Sequence, residues 1–197
     1  MAGPIRSTTP HSKPPRTIPL PTPTKKLAWE DYAALPDDGA RYEVLDGEVV
    51  VSPSAGSPHQ RLQLVLAGEL YNRVVVSRLG EVFTDLDCEL LPHDIVRPDL
   101  LVVLPKHRAR IVPTRIAGTP DLAIEILSKA TAARDRSEKR RRYEAAGTPE
   151  LWLVDGDQRT VTQFVHDGRG FGPPRTATTS LRLAILPDVE VPFGELW

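Results

Sequence analysis

Two runs of apolar residues, Val96–Leu104 and Leu122–Leu127, are each interrupted by a single acid, Asp99 in the first and Glu125 in the second. A carboxylate inside a strand-like apolar run is costly to bury unless it is paired, hydrogen-bonded or bound to a metal. If the two strands lie side by side, their acids can share a divalent cation. This pattern predicts a metal site at Asp99 and Glu125.

The same two acids have a structural alternative. Each could lie at a strand end and form an ion pair with an arginine nearby in sequence, Arg97 or Arg115. The metal reading has its own chemical implication, because oxygen ligands without a cysteine cluster or a histidine pair suit Mg²⁺ or Mn²⁺ better than zinc. Both explanations remain open from the residues alone.

Composition bounds the class of protein. The chain has 197 residues, 40% of them hydrophobic and 26% charged, which is typical of a soluble globular domain. The net charge of -1 argues against a strongly basic nucleic-acid coat protein, although it permits a local basic face. With one cysteine, Cys88, and neither a signal peptide nor a long apolar run, we expect a cytoplasmic protein without membrane contact.

Residues 1–26 contain seven of the 20 prolines together with several Ser, Thr and basic residues. Such a segment buries too little apolar surface to offset its ordering entropy, which predicts a disordered, Pro-rich tail. A docking arm or basic tether is the functional alternative. Residues 27–197 are expected to form a single domain.

The remaining patterns predict an order of elements. A short helix over 27–35 precedes a hairpin at Asp46-Gly47, a strong two-residue turn signal. Periodicity then predicts a helix (59–76), three strands (81–91, 96–104, 121–127), a helix (131–146) and a strand (151–155). The fold class is therefore mixed α/β (α+β). We expect an α-β-β-β-α-β core with a central mixed sheet flanked by helices, an N-terminal helix and hairpin, and a C-terminal β extension.

The second long helix contains a candidate lysine. Thr131, Asp135, Lys139 and Tyr143 recur every four residues and should share one face. The functional interpretation is a phosphate-facing helix with Lys139 directed at the metal site and with arginines such as Arg141 on its other faces. The alternative is a solvated basic helix paired with its own glutamates.

In this order, the motifs resemble the PD-(D/E)XK nuclease superfamily and, more narrowly, the Uma2 family of restriction-endonuclease-like proteins. The resemblance spans about Trp29 to Asp155. The segments that carry it are W-E-D-Y-A-A-L-P-D-D-G-A-R-Y-E-V-L-D-G-E, S-P-H-Q, V-R-P-D-L-L-V-V, D-L-A-I-E-I-L-S and D-R-S-E-K-R-R-R-Y-E-A-A-G-T-P-E-L-W-L-V-D.

The resemblance implies a Mg²⁺-dependent (or Mn²⁺-dependent) DNA endonuclease. In the superfamily a lysine follows the second acid by two positions, but here Leu127 stands two positions after Glu125. The Uma2 resemblance implies that the lysine comes from the following helix, as Lys139. It also implies that Glu43 and His59 lie near the site. Lys139→Ala should then nearly abolish cleavage while leaving Mn²⁺ binding and folding intact.

Two alternatives to this function stay open: a non-catalytic DNA-binding or scaffold protein on a nuclease fold, and a phosphodiesterase acting on RNA or nucleotides. Cutting both strands of a duplex is simplest with two sites related by a dyad, so we also expect a homodimer. Its sequence support is a surplus of C-terminal aromatic surface. The residues concerned are Trp152, Phe164, Phe193 and Trp197.

Overall fold

The computed structural model describes residues 25–197, so nearly all of the predicted tail lies outside the described residues. The helices are α1 (Trp29–Ala33), α2 (Ser57–Leu70), α3 (Ala132–Arg134) and α4 (Arg140–Ala145), with π-helical turns at Tyr71–Val75 and Asp135–Lys139 and a 3₁₀ turn at Pro105–Arg110. The strands are β1 (Arg41–Leu45), β2 (Glu48–Ser52), β3 (Glu81–Thr84), β4 (Cys88–Leu91), β5 (Asp94–Val96), β6 (Leu100–Val103), β7 (Ile111–Val112), β8 (Arg115–Ala117), β9 (Leu122–Ile126), β10 (Glu150–Asp155), β11 (Thr160–Val165), β12 (Arg175–Ala177), β13 (Ser180–Arg182) and β14 (Glu190–Pro192). Within 25–197, no helix is both long and apolar enough to span a bilayer.

The larger apolar core is built on a six-stranded sheet with the order β12-β11-β10-β9-β6-β3, here called the core sheet. Strands β9 and β10 run parallel and their other neighbours run antiparallel, so the sheet is mixed. Every residue of β6 and β9 is buried, as expected for central strands covered on both faces. The order α2, β3, β6, β9, α3–α4, β10 confirms the predicted α-β-β-β-α-β core.

A second six-stranded sheet, β2-β1-β5-β4-β8-β7, was not anticipated as a separate unit. We call it the hairpin sheet. Between β3 and β6 the chain crosses between the sheets twice, so the predicted strands 81–91 and 96–104 are each split in two. At one crossing Pro98 has no N–H to donate to a ladder, and at the other Asp85 adopts a positive φ of 50°. The crossings lie together, since the Asp85 amide donates to the carbonyl oxygen of Asp99 at 3.3 Å.

Two local predictions are confirmed in detail. Asp46 and Gly47 both have positive φ, 53° and 84°, which is the backbone that a tight two-residue hairpin requires. The apolar stripe of α2 continues into the following π turn and packs against the core sheet. Its buried members are Leu62, Leu66, Leu70 and Val74.

The C-terminal strands complete the same core. Trp152 and Phe193 are fully buried and meet edge to face, with ring centroids 6.0 Å apart. These two rings are therefore core residues, and the aromatic argument for a dimer loses half of its members. Self-association stays a prediction without that support.

Candidate active site

A cavity of about 70 Å³ opens at the edge of the core sheet where the chain crosses between sheets. We call it the acidic cavity. All five residues singled out in the sequence line it, although they come from five different parts of the fold. They are Glu43 from β1, His59 from the start of α2, Asp99 from the crossing before β6, Glu125 from β9, and Lys139 from the second π turn.

Asp99 is held by three donors. The amide of Ile126 donates to Oδ2 at 2.7 Å, His59 Nε2 lies 3.2 Å from the same oxygen, and Arg41 Nη1 donates to Oδ1 at 2.8 Å. Burial opposes ionisation, but the His59 contact, the Arg41 charge and the Ile126 amide together lower the pKa of Asp99 to about 2. Asp99 is therefore a fixed carboxylate.

Glu125 and Lys139 form a buried pair. Lys139 Nζ lies 2.7 Å from Glu125 Oε1 and 2.8 Å from Glu43 Oε1, and the hydroxyl of Tyr143 donates to Glu125 Oε1 at 2.6 Å. Burial, opposed by Lys139 and aided by the neighbouring carboxylates, raises the pKa of Glu125 to about 8. Although burial opposes it, the three facing carboxylates raise the pKa of Lys139, so its amine is protonated.

The π turn keeps the cavity-facing side chains of this helix on one face. Asp135, Lys139 and Tyr143 are buried on one face, as the four-residue spacing predicts. A π turn takes more residues than an α turn, so residues four apart across it stay aligned. Helical spacing thus identified the face, while the π turn itself had no recognisable signal in the sequence.

Arg41 is the site residue that sequence reasoning missed. The two arginines proposed as partners of the acids pair elsewhere: Arg97 contacts Asp87 at 2.7 Å, and Arg115 contacts Glu89 at 2.9 Å. Arg41 instead pairs with Asp99 and donates to the carbonyl oxygen of Arg97. In sequence it is merely the first residue of an alternating strand, so nothing local distinguishes it.

The charges lining the acidic cavity do not balance. When all four acids are ionised, four carboxylates face two cations, which leaves two negative charges with His59 neutral. The acids are Glu43, Asp99, Glu125 and Asp135, and the cations are Arg41 and Lys139. Because burial raises the pKa of Glu125 to about 8, a proton holds the place of one of these charges at neutral pH, and a cation would displace it.

A single divalent cation would balance this charge. Among residues 25–197, no group of three or more His, Cys, Asp or Glu side chains is disposed to hold a metal ion. Mg²⁺, however, commonly takes only one or two protein carboxylates and completes its shell with water and substrate. The carboxylate oxygens of Asp99 and Glu125 therefore fit such an ion, provided that Arg41 releases its hydrogen bond to Asp99 Oδ1.

Two further acids follow a proline and precede a leucine, as Asp99 does. They lie at the opposite ends of the central strands, and this side of the core sheet is here called the closed edge. Asp121 accepts from the Leu104 amide and contacts His107 Nδ1, both at 2.8 Å. Glu150 is likewise fully buried, and each of its oxygens is occupied. Its donors are Trp152 Nε1 at 2.6 Å, Gln163 Nε2 at 2.6 Å and the Ile185 amide at 3.0 Å.

Comparisons with known proteins agree on one kind of fold. The model of the Uma2 family, described as "Putative restriction endonuclease", matches residues 29–194. The crystal structure of "a putative nuclease belonging to DUF820" from Anabaena variabilis ATCC 29413 is similar, with a TM-score of 0.72 at 20% identity. The similarity covers 86% of this chain and 97% of that one. No curated protein sequence matches the chain.

Proposed function

The chain belongs to the Uma2 family, and from that premise we propose that it is a divalent-metal-dependent endonuclease that hydrolyses phosphodiester bonds in DNA. One observation carries the proposal: two buried acids and a buried lysine from separate elements face one cavity in which the ionised acids would outnumber the cations by two. A structural ion pair needs no such excess, whereas a site for a divalent cation does.

The residues have distinct roles in this proposal. Asp99 and Glu125 would hold Mg²⁺ or Mn²⁺, which supplies a lowered water pKa and charge neutralisation. Lys139 is protonated, so it serves as a donor and a positive charge for the phosphate oxygens rather than as a base. Glu43 fixes the Lys139 amine, and His59 positions Asp99.

A non-catalytic DNA-binding protein is the second candidate, and the Arg41–Asp99 ion pair favours it. If Arg41 does not yield its carboxylate oxygen, the cavity keeps its fold without taking up a cation. The two functions differ in one measurable property, because only the endonuclease binds Mn²⁺ through Asp99 and Glu125.

The test is incubation of supercoiled plasmid and single-stranded DNA with the purified protein and Mg²⁺ or Mn²⁺. We expect nicked and linear products, and none with a chelator. Asp99→Asn and Glu125→Gln should be inactive, whereas the matched closed-edge variant Glu150→Gln should cut. Equal activity in all these proteins would refute the assignment of the site.

The proposed homodimer has a separate test. Light scattering at tens of micromolar, on the order of common micromolar affinities, should show a species of twice the chain mass. A monomer at that concentration would leave one active site per particle and favour nicking over double-strand cleavage.

A further inference from the structure

A second and larger cavity, of about 550 Å³, adjoins the acidic cavity. We call it the side groove. Gly56, His59 and Ser128 line both cavities, so the two cavities lie directly beside each other. Its volume lies within the range of small-molecule sites. The side groove is thus placed to hold whatever is covalently attached to a phosphate in the acidic cavity.

One wall of the side groove is apolar and includes Pro58, Leu127 and Trp197. The indole of Trp197 is fixed, because its Nε1 donates to the carbonyl oxygen of Thr178 at 2.9 Å and its ring meets Phe193 at 6.2 Å between centroids. A partly exposed, immobilised aromatic ring is suited to stack on a planar ligand at little entropic cost.

The polar part of the side groove is basic, in contrast to the acidic cavity beside it. Arg61, Lys129 and Arg159 line it against one acid, Asp157. Within residues 25–197 none of the three cations forms an ion pair with a carboxylate, and the Arg61 guanidinium instead donates to two backbone carbonyls. These positive charges are available to a ligand that is anionic as well as planar.

We propose that the side groove binds an unpaired nucleotide adjoining the scissile phosphate, with the base against Trp197 and the neighbouring phosphate near Lys129 and Arg159. This inference rests on the proposed function and adds a substrate class to it. A base stacked in a duplex cannot enter the groove, so the favoured substrate is single-stranded DNA or DNA with a displaced base.

The stacking part is tested by binding of a labelled oligothymidylate of about eight nucleotides, within the range of known single-strand sites, in metal-free buffer. Trp197→Ala should weaken binding roughly tenfold, as expected for loss of one base–aromatic stack, and Trp197→Phe should restore most of it. Tyr71→Ala is the matched control, since Tyr71 is 56% exposed and lies outside the groove. It should bind like the wild type.

The charge part uses exposed residues, so it does not depend on whether Trp197→Ala folds. Replacing both Lys129 and Arg159 by alanine should reduce the slope of log affinity against log salt by about 1.4, the value for two phosphates of a single strand. Arg169→Ala, an exposed arginine outside the groove, should leave the slope unchanged. A blunt duplex of the same sequence should compete more weakly than the single strand.

The outcomes separate this inference from the proposed nuclease. Wild-type cleavage with unchanged oligonucleotide binding in both groove variants would overturn the groove assignment alone. Equal competition by duplex and single strand would also overturn it. Groove-dependent binding by a wild-type protein that never cuts would support the groove and refute the nuclease.

Discussion

The two edges of the core sheet hold buried acids in the same tripeptide context, yet their surroundings differ. At one edge Asp99 immediately precedes β6, beside the end of β9 where Glu125 lies, and both acids face the acidic cavity. At the closed edge Asp121 and Glu150 precede or begin the parallel strands β9 and β10 and are enclosed by protein donors.

The difference lies in how many like charges share one space. Each closed-edge acid is solvated separately by amides, an indole or an imidazole, as a buried carboxylate requires. The cavity acids instead face one another and two cations, which leaves excess negative charge. Burial of a single acid therefore does not distinguish the candidate site, whereas several acids around one opening do.

The largest expected difference is in cleavage rate, when one acid at each edge is replaced by its amide. Glu125→Gln keeps an acceptor for Tyr143 and Lys139 but removes the charge, so cleavage should fall by at least on the order of 10²–10³. Glu150→Gln should cut at the wild-type rate below its melting temperature. Single-turnover rates measure both, and equal losses would erase the distinction between the edges.

Lys139→Met should also reduce cleavage by on the order of 10²–10³, because it removes the charge available to the phosphate. The structure changes one sequence-based expectation, that folding would be unaffected. Removing the lysine leaves Glu43 and Glu125 without their shared counter-charge, at a cost of about 3 kcal/mol in unfolding free energy. Denaturant titration with and without Mn²⁺ measures it, and a metal-supplied charge should restore part of the loss.

The stability gained on binding Mn²⁺ should depend on the acid in the acidic cavity and not on the acid at the closed edge. At ~100-fold excess over its Kd, Mn²⁺ should stabilise the wild type by about 2.7 kcal/mol, seen as a rise in Tm. Glu150→Gln should show the same rise and Glu125→Gln little or none. A rise in Glu125→Gln equal to that of the wild type would place the metal elsewhere.

Glu150→Gln has a smaller effect of its own. The amide nitrogen of the glutamine must face a backbone or side-chain N–H that donates to a carboxylate oxygen in the wild type, so one hydrogen bond is lost. Because the variant no longer buries a charge, the net loss in unfolding free energy should be only about 1 kcal/mol. Chemical denaturation at neutral pH gives the value. A more stable variant would show that the closed-edge carboxylate is not satisfied by its donors.

The smallest effect concerns an exposed residue at neither edge. Arg141→Ala should reduce the salt slope of duplex binding by about 0.9 if this arginine contacts one phosphate. Arg142→Ala is the matched comparison. Because Arg142 already lies 3.3 Å from Asp94, its removal should change the salt slope less.

The core order and the grouping of Asp99, Glu125 and Lys139 could be predicted because periodicity and an interrupted apolar run are local signals. Glu43 and His59 were expected at the site only through the Uma2 resemblance, since nothing in their own sequence surroundings indicates it. Sequence reasoning could not separate Asp99 from the acids of the closed edge, since all three follow proline and precede leucine. The distinction depends on which strands are antiparallel, and that is a property of the whole chain.

The separate hairpin sheet was missed for a different reason. Pro98 inside an apolar run was a usable signal for a broken strand. The matching break near Asp85 depends on a positive φ, which is uncommon outside glycine, and the ion pair of Arg41 with Asp99 joins the hairpin sheet to the crossing before β6. Contacts of that kind follow from tertiary packing and have no counterpart in a window of sequence.

The paired crossings between the sheets also bear on how the chain acquires activity as it folds. Glu43 belongs to the hairpin sheet, Glu125 to the core sheet, Lys139 to a later helix, and Asp99 lies at the crossing itself. A nascent or half-folded chain with only one sheet formed contains no complete constellation. In the proposed endonuclease, cleavage should therefore return only when both sheets have formed, and partly synthesised chains should lack it.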